Sequence, residues 1–235
     1  MLRHDTSTQL HRPEKGFTLV ELLIAIVIST IVSLAIIAAF TTFTRTQTTQ
    51  DNVLSMQQNI RAAQYFMARE FRMAGYGGLN PDSNGAGITN ANPSFFSFTF
   101  LAEDDTTDND GDGDTDETGE LSTIIYQHYD SDGDGINDAV GRTVDGGTQS
   151  PVAEHIQELE FLYSIESGNS QSTSTAPASF GDITGVGISI LARTARNNTG
   201  SASQSFNALS GAVWGPYPDS RLRRLTTSYI RFRNL

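Results

Sequence analysis

Two runs of aspartates are spaced to hold a cation. Asp108, Asp110, Asp112, Asp114 and Asp116 alternate with small residues, and Asp130, Asp132, Asp134 and Asp138 repeat the pattern 22 residues later. Alternate carboxylates on a tight, glycine-containing loop converge on one ion, and an all-oxygen set suits Ca²⁺, which takes six to eight oxygens at roughly 2.3–2.6 Å. In such a loop the residue after the second glycine offers its backbone carbonyl, here Asp114 and Ile136, and the acid two positions on (Asp116, Asp138) binds directly or through water. The position that closes an EF-hand with a bidentate Glu is Gly119 in the first run and Gly141 in the second, so neither is a complete EF-hand. Glu117 or Glu120 is placed to complete the first; the second has no such candidate nearby. The plainer alternative is a pair of solvated acidic loops. The expectation is two Ca²⁺ loops that order the chain on either side of Leu121–Tyr129.

These acids account for the composition. The chain has 235 residues, with 15 Lys and Arg against 27 Asp and Glu. Residues 103–138 hold 14 of those acids and no cation, leaving the remainder close to neutral. A net charge of −12 excludes a nucleic-acid-coating surface, which needs a basic face, so no nucleic-acid partner is expected. There is no cysteine, which excludes disulfides, thiolate metal sites and thiol nucleophiles. His128 and His155 stand alone, Ser189 lacks a nucleophile-elbow context, and no glycine cluster is followed by the Lys of a phosphate loop. The chain reads as a non-enzyme. Arg221, Arg223 and Arg224 form a small basic cluster, and Trp214 with Tyr217 reads as an aromatic turn.

The second chemical feature is a single carboxylate in an oily segment. Residues 1–16 are polar; Leu22 to Phe40 carry no charge, and the next charged residue is Arg45. As a helix those 19 residues span about 28 Å, near the thickness of a bilayer's hydrocarbon. Arg12 and Lys15 place the N-terminus in the cytoplasm. Glu21 sits at the start of this run, where a carboxylate needs a partner of positive charge.

The string Lys15-Gly16-Phe17-Thr18-Leu19-Val20-Glu21 resembles the type IV prepilin processing site. The resemblance implies cleavage by a prepilin peptidase after Gly16 and N-methylation of Phe17. It also implies that Glu21 neutralises the Phe17 ammonium of an adjacent subunit during assembly. Residues Gln58–Ala63 and Tyr65–Tyr76, with the C-terminal Arg231-Phe232-Arg233-Asn234-Leu235, are similar to PilW-type minor pilins in particular. On that resemblance the chain is a minor pilin that takes part in priming or assembling a filament. Its partners are the major pilin, other minor pilins, an inner-membrane assembly platform and, before assembly, the lipid bilayer. It is expected in the inner membrane of a Gram-negative bacterium, single-pass with the head periplasmic, and then in the pilus at the cell surface. The alternatives are a J-like minor pseudopilin of type II secretion, or a permanently anchored periplasmic Ca²⁺-binding module.

The elements that carry these groups follow from periodicity. No Gly or Pro interrupts Phe17–Ala74, so one helix of about 58 residues is expected. Val53, Met56, Ile60, Ala63, Met67, Phe71 and Ala74 recur at helical steps and mark a buried stripe, with Gly75 as the stop. Strands are expected at Phe95–Leu101, Leu121–Tyr129, Leu159–Ile165, around Val186–Ile190, and at Leu225–Leu235, with a short helical turn over Ala153–Glu158. Loops are expected at 80–94, 167–178 and 197–211. The fold class is α+β, a pilin-like ladle in which a long N-terminal α-helix packs on an antiparallel β-sheet head. The expected divisions are a leader at 1–16, a transmembrane half of the helix at 17–44, an amphipathic half at 45–76, and a β-rich head at 77–235 that contains the acidic loops of 103–138.

Overall fold

The computed structural model describes residues 16–77, 86–102, 121–196 and 203–235. The chain divides into two units, residues 1–48 and 49–235. Helix α1 runs Leu19–Phe71, 53 residues without a break.

In the first unit every described residue is exposed. The hydroxyls along this apolar stretch turn back on their own helix: Thr30 donates to the Ile26 carbonyl (2.8 Å), Ser33 to Ser29 (2.8 Å) and Thr44 to Phe40 (2.9 Å). Thr41 and Thr42 both donate to Ala38. A hydroxyl satisfied in this way carries no cost into an apolar medium, which is how Ser and Thr are tolerated in membrane helices.

In the second unit the rest of α1 buries Met56, Ile60, Ala63, Met67 and Phe71, the stripe its spacing predicts. The helix ends three residues before the expected Ala74. Turns then carry the chain to Gly77, with Ala74 N–H bonded to the Phe71 carbonyl and Tyr76 N–H to that of Met73. Gly75 adopts φ +76° within those turns, and a Cβ there would lie 2.5 Å from Leu235 Cδ2. The glycine therefore serves a close approach of the C-terminal residues as well as the turn.

Two antiparallel sheets meet this helix face. The first is a meander of β1 (Ile88–Asn92), β2 (Phe95–Leu101), β3 (Leu121–Tyr129), β4 (Ala139–Val144) and β5 (Ser150–Glu154). The second contains β6 (Ile156–Ser167), β7 (Ser170–Ser174), β8 (Ile183–Arg193) and β11 (Arg223–Arg231), in the spatial order β11-β8-β6-β7. A two-stranded ribbon, β9 (Phe206–Asn207) and β10 (Val213–Trp214), completes the described elements.

Phe71 is the hub of the core. Its ring meets Phe96, Tyr126, Phe98 and Phe161 edge-on, at centroid distances of 4.7, 5.2, 5.8 and 5.9 Å. One helix side chain thus holds both sheets. Beside it, Glu70 Oε2 accepts from the Tyr126 hydroxyl (2.7 Å) and from Arg142 Nε (2.8 Å). The pair is partly screened from water, with the Glu70 side chain 15% and that of Arg142 31% exposed. Burial and the neighbouring carboxylate push the Tyr126 phenol far above its ordinary pKa.

Several expectations are corrected. The helical turn over Ala153–Glu158 is instead the end of β5 and the start of β6, joined through His155 at φ +59°. Ala153, Ile156 and Leu159 are all buried at three-residue steps, which imitates a helix. The left-handed residue at 155 and a bulge between Ile156 and Glu158 each slip the strand's alternation by one, and together they produce that spacing. The loops expected at 80–94, 167–178 and 197–211 contain β1, β7 and β9. The terminal strand ends at Arg231, not Leu235; Phe232 is buried, and Asn234 Nδ2 donates to the Arg72 carbonyl at 3.0 Å.

Segment 203–222 lies over the second sheet and is tied down by polar contacts. Ser210 Oγ donates to the buried Glu160 (2.7 Å), Leu209 N–H to Ser189 Oγ (3.0 Å), and the Tyr217 hydroxyl to Glu158 (3.1 Å). Arg223 grips Asp219 with both terminal nitrogens at 2.7 Å and lies over the Tyr217 ring at 4.1 Å.

Two outcomes are expected. Phe71→Ala removes the shared ring and costs about 3–5 kcal/mol, read as a lower urea midpoint by fluorescence of Trp214, the single tryptophan. The second concerns Asp219, whose carboxyl is held below its ordinary pKa chiefly by Arg223. A depressed folded pKa gives stability that is present above the unfolded value, about 3.9, and lost as pH falls through the folded one. Acid unfolding of Arg223→Gln, compared with the parent chain, should show that part of the acid limb displaced to higher pH.

Candidate functional site

Lys15 and the first aspartate run, Asp108 to Asp116, lie outside the described residues, as do Glu117 and Glu120. Gly16 and Phe17 precede the helix in non-helical backbone. A Cβ at Gly16 would meet nothing within 4 Å, and Phe17 is 90% exposed. Among the described residues nothing covers the Gly16–Phe17 bond.

Helix α1 starts with a reciprocal cap. Glu21 N–H donates to Thr18 Oγ1 (3.2 Å), and Thr18 N–H donates back to Glu21 Oε2 (2.9 Å). The Thr18 hydroxyl also donates to Glu21 Oε2, at 3.0 Å. This is a capping box, the T-x-x-E arrangement that satisfies two otherwise orphaned backbone donors. Its signal is the string Thr18-Leu19-Val20-Glu21, a pattern distinct from the charged partner expected for Glu21. Within one chain the Glu21 carboxylate is held through Oε2, while Oε1 accepts no hydrogen bond from a described residue.

The second aspartate run forms the connection between β3 and β4. It is closed at its base by Asp138 N–H to the Tyr129 carbonyl at 3.0 Å. Gly133 and Gly135 take φ +80° and +87°, which turns the loop so that alternate aspartates share a side. The carboxylate oxygens of Asp130, Asp132 and Asp134 lie within 4.8 Å of one another. Asp130 Oδ2 accepts from Gly135 N–H (2.6 Å) and its Oδ1 from Gly133 N–H (2.7 Å). The Gly135 amide chiefly, with that of Gly133, holds the Asp130 carboxyl below its ordinary pKa.

Asp138 does not join this group. It is buried, and its Oδ1 accepts from the Ser131 N–H (3.1 Å) and hydroxyl (2.7 Å), bracing the loop against the sheet. Ile136 extends an exposed side chain and donates its N–H to Asp134 at 2.8 Å. Three anionic side chains thus share a small volume, with oxygen donors that suit a hard cation and no softer ligand among them.

Other candidate groups serve the framework. His128 is half-buried with Nε2 3.1 Å from the Ile156 carbonyl, and desolvation lowers its pKa. Ser189 is buried under segment 203–222. Of the basic cluster, Arg223 is engaged by Asp219.

Residues 11–37 match the family profile of the prokaryotic N-terminal methylation motif. No curated protein matches the chain at a significant level. Among solved structures, a type IV-like pilin from Thermus thermophilus is similar at 18% identity and a TM-score of 0.45, over 76% of this chain and 97% of that one.

Proposed function

We propose that this chain is a prepilin of the PilW type that becomes a minor subunit of a type IV filament. The observation that carries this reading is the methylation-motif match at residues 11–37, which coincides with an exposed cut site and a wholly exposed helix start whose one charge before Arg45 is Glu21. Before processing, the segment after Phe17 lies in the inner membrane, with the leader in the cytoplasm and the head outside. A peptidase cuts between Gly16 and Phe17, and Phe17 is N-methylated. The apolar helix then leaves lipid for the helices of the major pilin and other minor pilins. Both surroundings are apolar, so little hydrophobic free energy is lost on transfer.

Charge is the difficult part of that transfer. Cleavage leaves a cationic amine four residues before Glu21, both in a medium where charges are weakly screened. The free Oε1 of Glu21 is available to the amine of a neighbouring subunit while Oε2 keeps the cap. Two substitutions separate these roles. Glu21→Gln preserves the capping geometry and removes the charge; it is expected to lower filament incorporation by about tenfold or more. Thr18→Val removes the cap, worth about 1 kcal/mol, and is expected to lower incorporation less. Quantitative immunoblots of sheared filaments read both, and normal incorporation of Glu21→Gln overturns the role of Glu21. Intact mass of the mature protein tests the processing step: loss of residues 1–16 and gain of one methyl is expected. A full-length, unmodified mass favours a permanently anchored module. A match to the processed mass in cells that carry a secretion apparatus and no pilus favours the pseudopilin.

In the same reading the Asp130–Asp138 loop takes Ca²⁺, with Asp130, Asp132 and Asp134 as carboxylate ligands and the loop carbonyls and water completing the shell. Millimolar Ca²⁺ is expected to raise the thermal midpoint of the detergent-solubilised chain. The rise should be smaller in the Asp130→Asn, Asp132→Asn, Asp134→Asn triple variant. An equal rise in both proteins removes this loop as the site.

A further inference from the structure

The second sheet has one face on the core and one facing away from it. On the outward face, direct cross-strand partners form a row over four strands: Thr173 on β7, Ser164 on β6, Gly185 on β8 and Arg231 on β11. The neighbouring row is Leu162, Gly187 and Tyr229. The central strand therefore presents glycine twice, at alternate positions, where a strand normally presents side chains. Glycine inside a strand weakens it and often marks a place that something approaches closely.

The two glycines are buried and make room for side chains of this chain to lie against the sheet, and a groove runs across the strands beside them. A Cβ on Gly185 would collide with the Tyr229 hydroxyl, and one on Gly187 would lie 2.8 Å from Leu209 Cδ1. Two adjoining depressions of about 490 and 420 Å³ share Ser164, Thr173 and Tyr229 as walls. Each is within the size range of small-molecule sites, about 300–1,000 Å³.

Its lining is chemically distinctive. Tyr229 is 60% exposed, so the ring offers an open face. Around it stand hydroxyls and an amide: Ser164, Ser172, Thr173, Thr184 and Gln171. None of these side chains, nor Tyr229, Glu166 or Arg231, is engaged by another described residue. Elsewhere on the same face the polar groups are paired, as with Glu160 and Ser210 or Glu158 and Tyr217. Hydroxyl and amide groups both donate and accept. Glu166 adds an acceptor and Arg231 a fork of donors at one end, with their charges offsetting.

We propose that this groove binds a neutral oligosaccharide. A sugar ring presents an apolar C–H face to stack on Tyr229 and a rim of hydroxyls that each donate and accept, as do the hydroxyl and amide groups of the lining. An anion is disfavoured because Arg231 is offset by Glu166. An extended peptide would pair along the outer edge of β7, whereas the groove crosses the sheet face, where the backbones of β6, β8 and β11 are paired to one another. The inference is independent of filament assembly.

The test uses the full chain in a zwitterionic detergent without a sugar headgroup. The chain is applied to an array of neutral hexose and N-acetylhexosamine oligosaccharides, with a threonine-rich decapeptide as comparator, and hits are titrated in solution. Saturable binding to at least one oligosaccharide is expected. Tyr229→Ala should weaken it by about tenfold or more, Tyr229→Phe should retain it, and Gln171→Ala, at an exposed edge strand, should weaken it without changing the thermal midpoint. If Tyr229→Ala does not fold, Gln171→Ala and Thr173→Ala decide. The proposal is overturned if no oligosaccharide binds, if binding survives these substitutions unchanged, or if the peptide alone binds.

Discussion

The structure depends on an apolar helix that water cannot accommodate. Sixteen large apolar side chains between Phe17 and Phe43 are exposed. Burying each is worth roughly 1.5–3 kcal/mol, so together they exceed the ~5–15 kcal/mol of net stability that holds a typical domain. No cap, ion pair or loop elsewhere in the chain offsets a term of that size. The segment must be surrounded by lipid or by other apolar helices, and its composition is adapted to that: no charge after Glu21 until Arg45, and hydroxyls that bond to their own helix. The head solves the opposite problem. It takes the remainder of α1 into a water-excluding core by switching from an all-round apolar surface to a single stripe ending at Phe71.

That switch was legible in the sequence because it is a change of period. The stripe from Met56 to Phe71 lies on one helix face and is buried as its spacing predicts. Strands with aromatic or β-branched alternation were legible for the same reason: Phe95–Leu101 and Leu121–Tyr129 coincide with β2 and β3. What was not legible was pairing that rests on partners instead of local preference. β1 is Ile-Thr-Asn-Ala-Asn and β7 is Ser-Gln-Ser-Thr-Ser, compositions that favour turns. They are strands because Phe95–Phe98 and Tyr163–Ser167 stand opposite them. For β7 the Gly168-Asn169 pair before it was a hairpin signal, and Gly168 does take φ +61°. The corner at His155 had no such signal, since a left-handed non-glycine residue is held by its surroundings.

The two chemical features noticed first in the sequence fare differently in geometry. In the aspartate loop, spacing and glycine placement dictate convergence, because positive φ at Gly133 and Gly135 brings every second carboxylate to one side. Asp138 departs from the pattern because it lies at the base of the hairpin, where Ser131 competes for its oxygen. At Glu21, one carboxylate meets two demands. A helix start needs acceptors for its free N–H groups, and an apolar medium allows no charge without a partner. The capping carboxylate answers the first demand with one oxygen, and under the proposed assembly role the other is left for the second.

The head separates structural from interactive chemistry by face. Every large aromatic ring that touches Phe71 lies between the helix and the sheets, whereas Tyr229 stands on the far face among side chains with no partner. At positions 185 and 187 a Cβ would run into Tyr229 and Leu209, so glycine there lets those two side chains lie against the strand. Tyr229, seated in this way, forms a wall shared by two depressions lined largely with hydrogen-bonding groups.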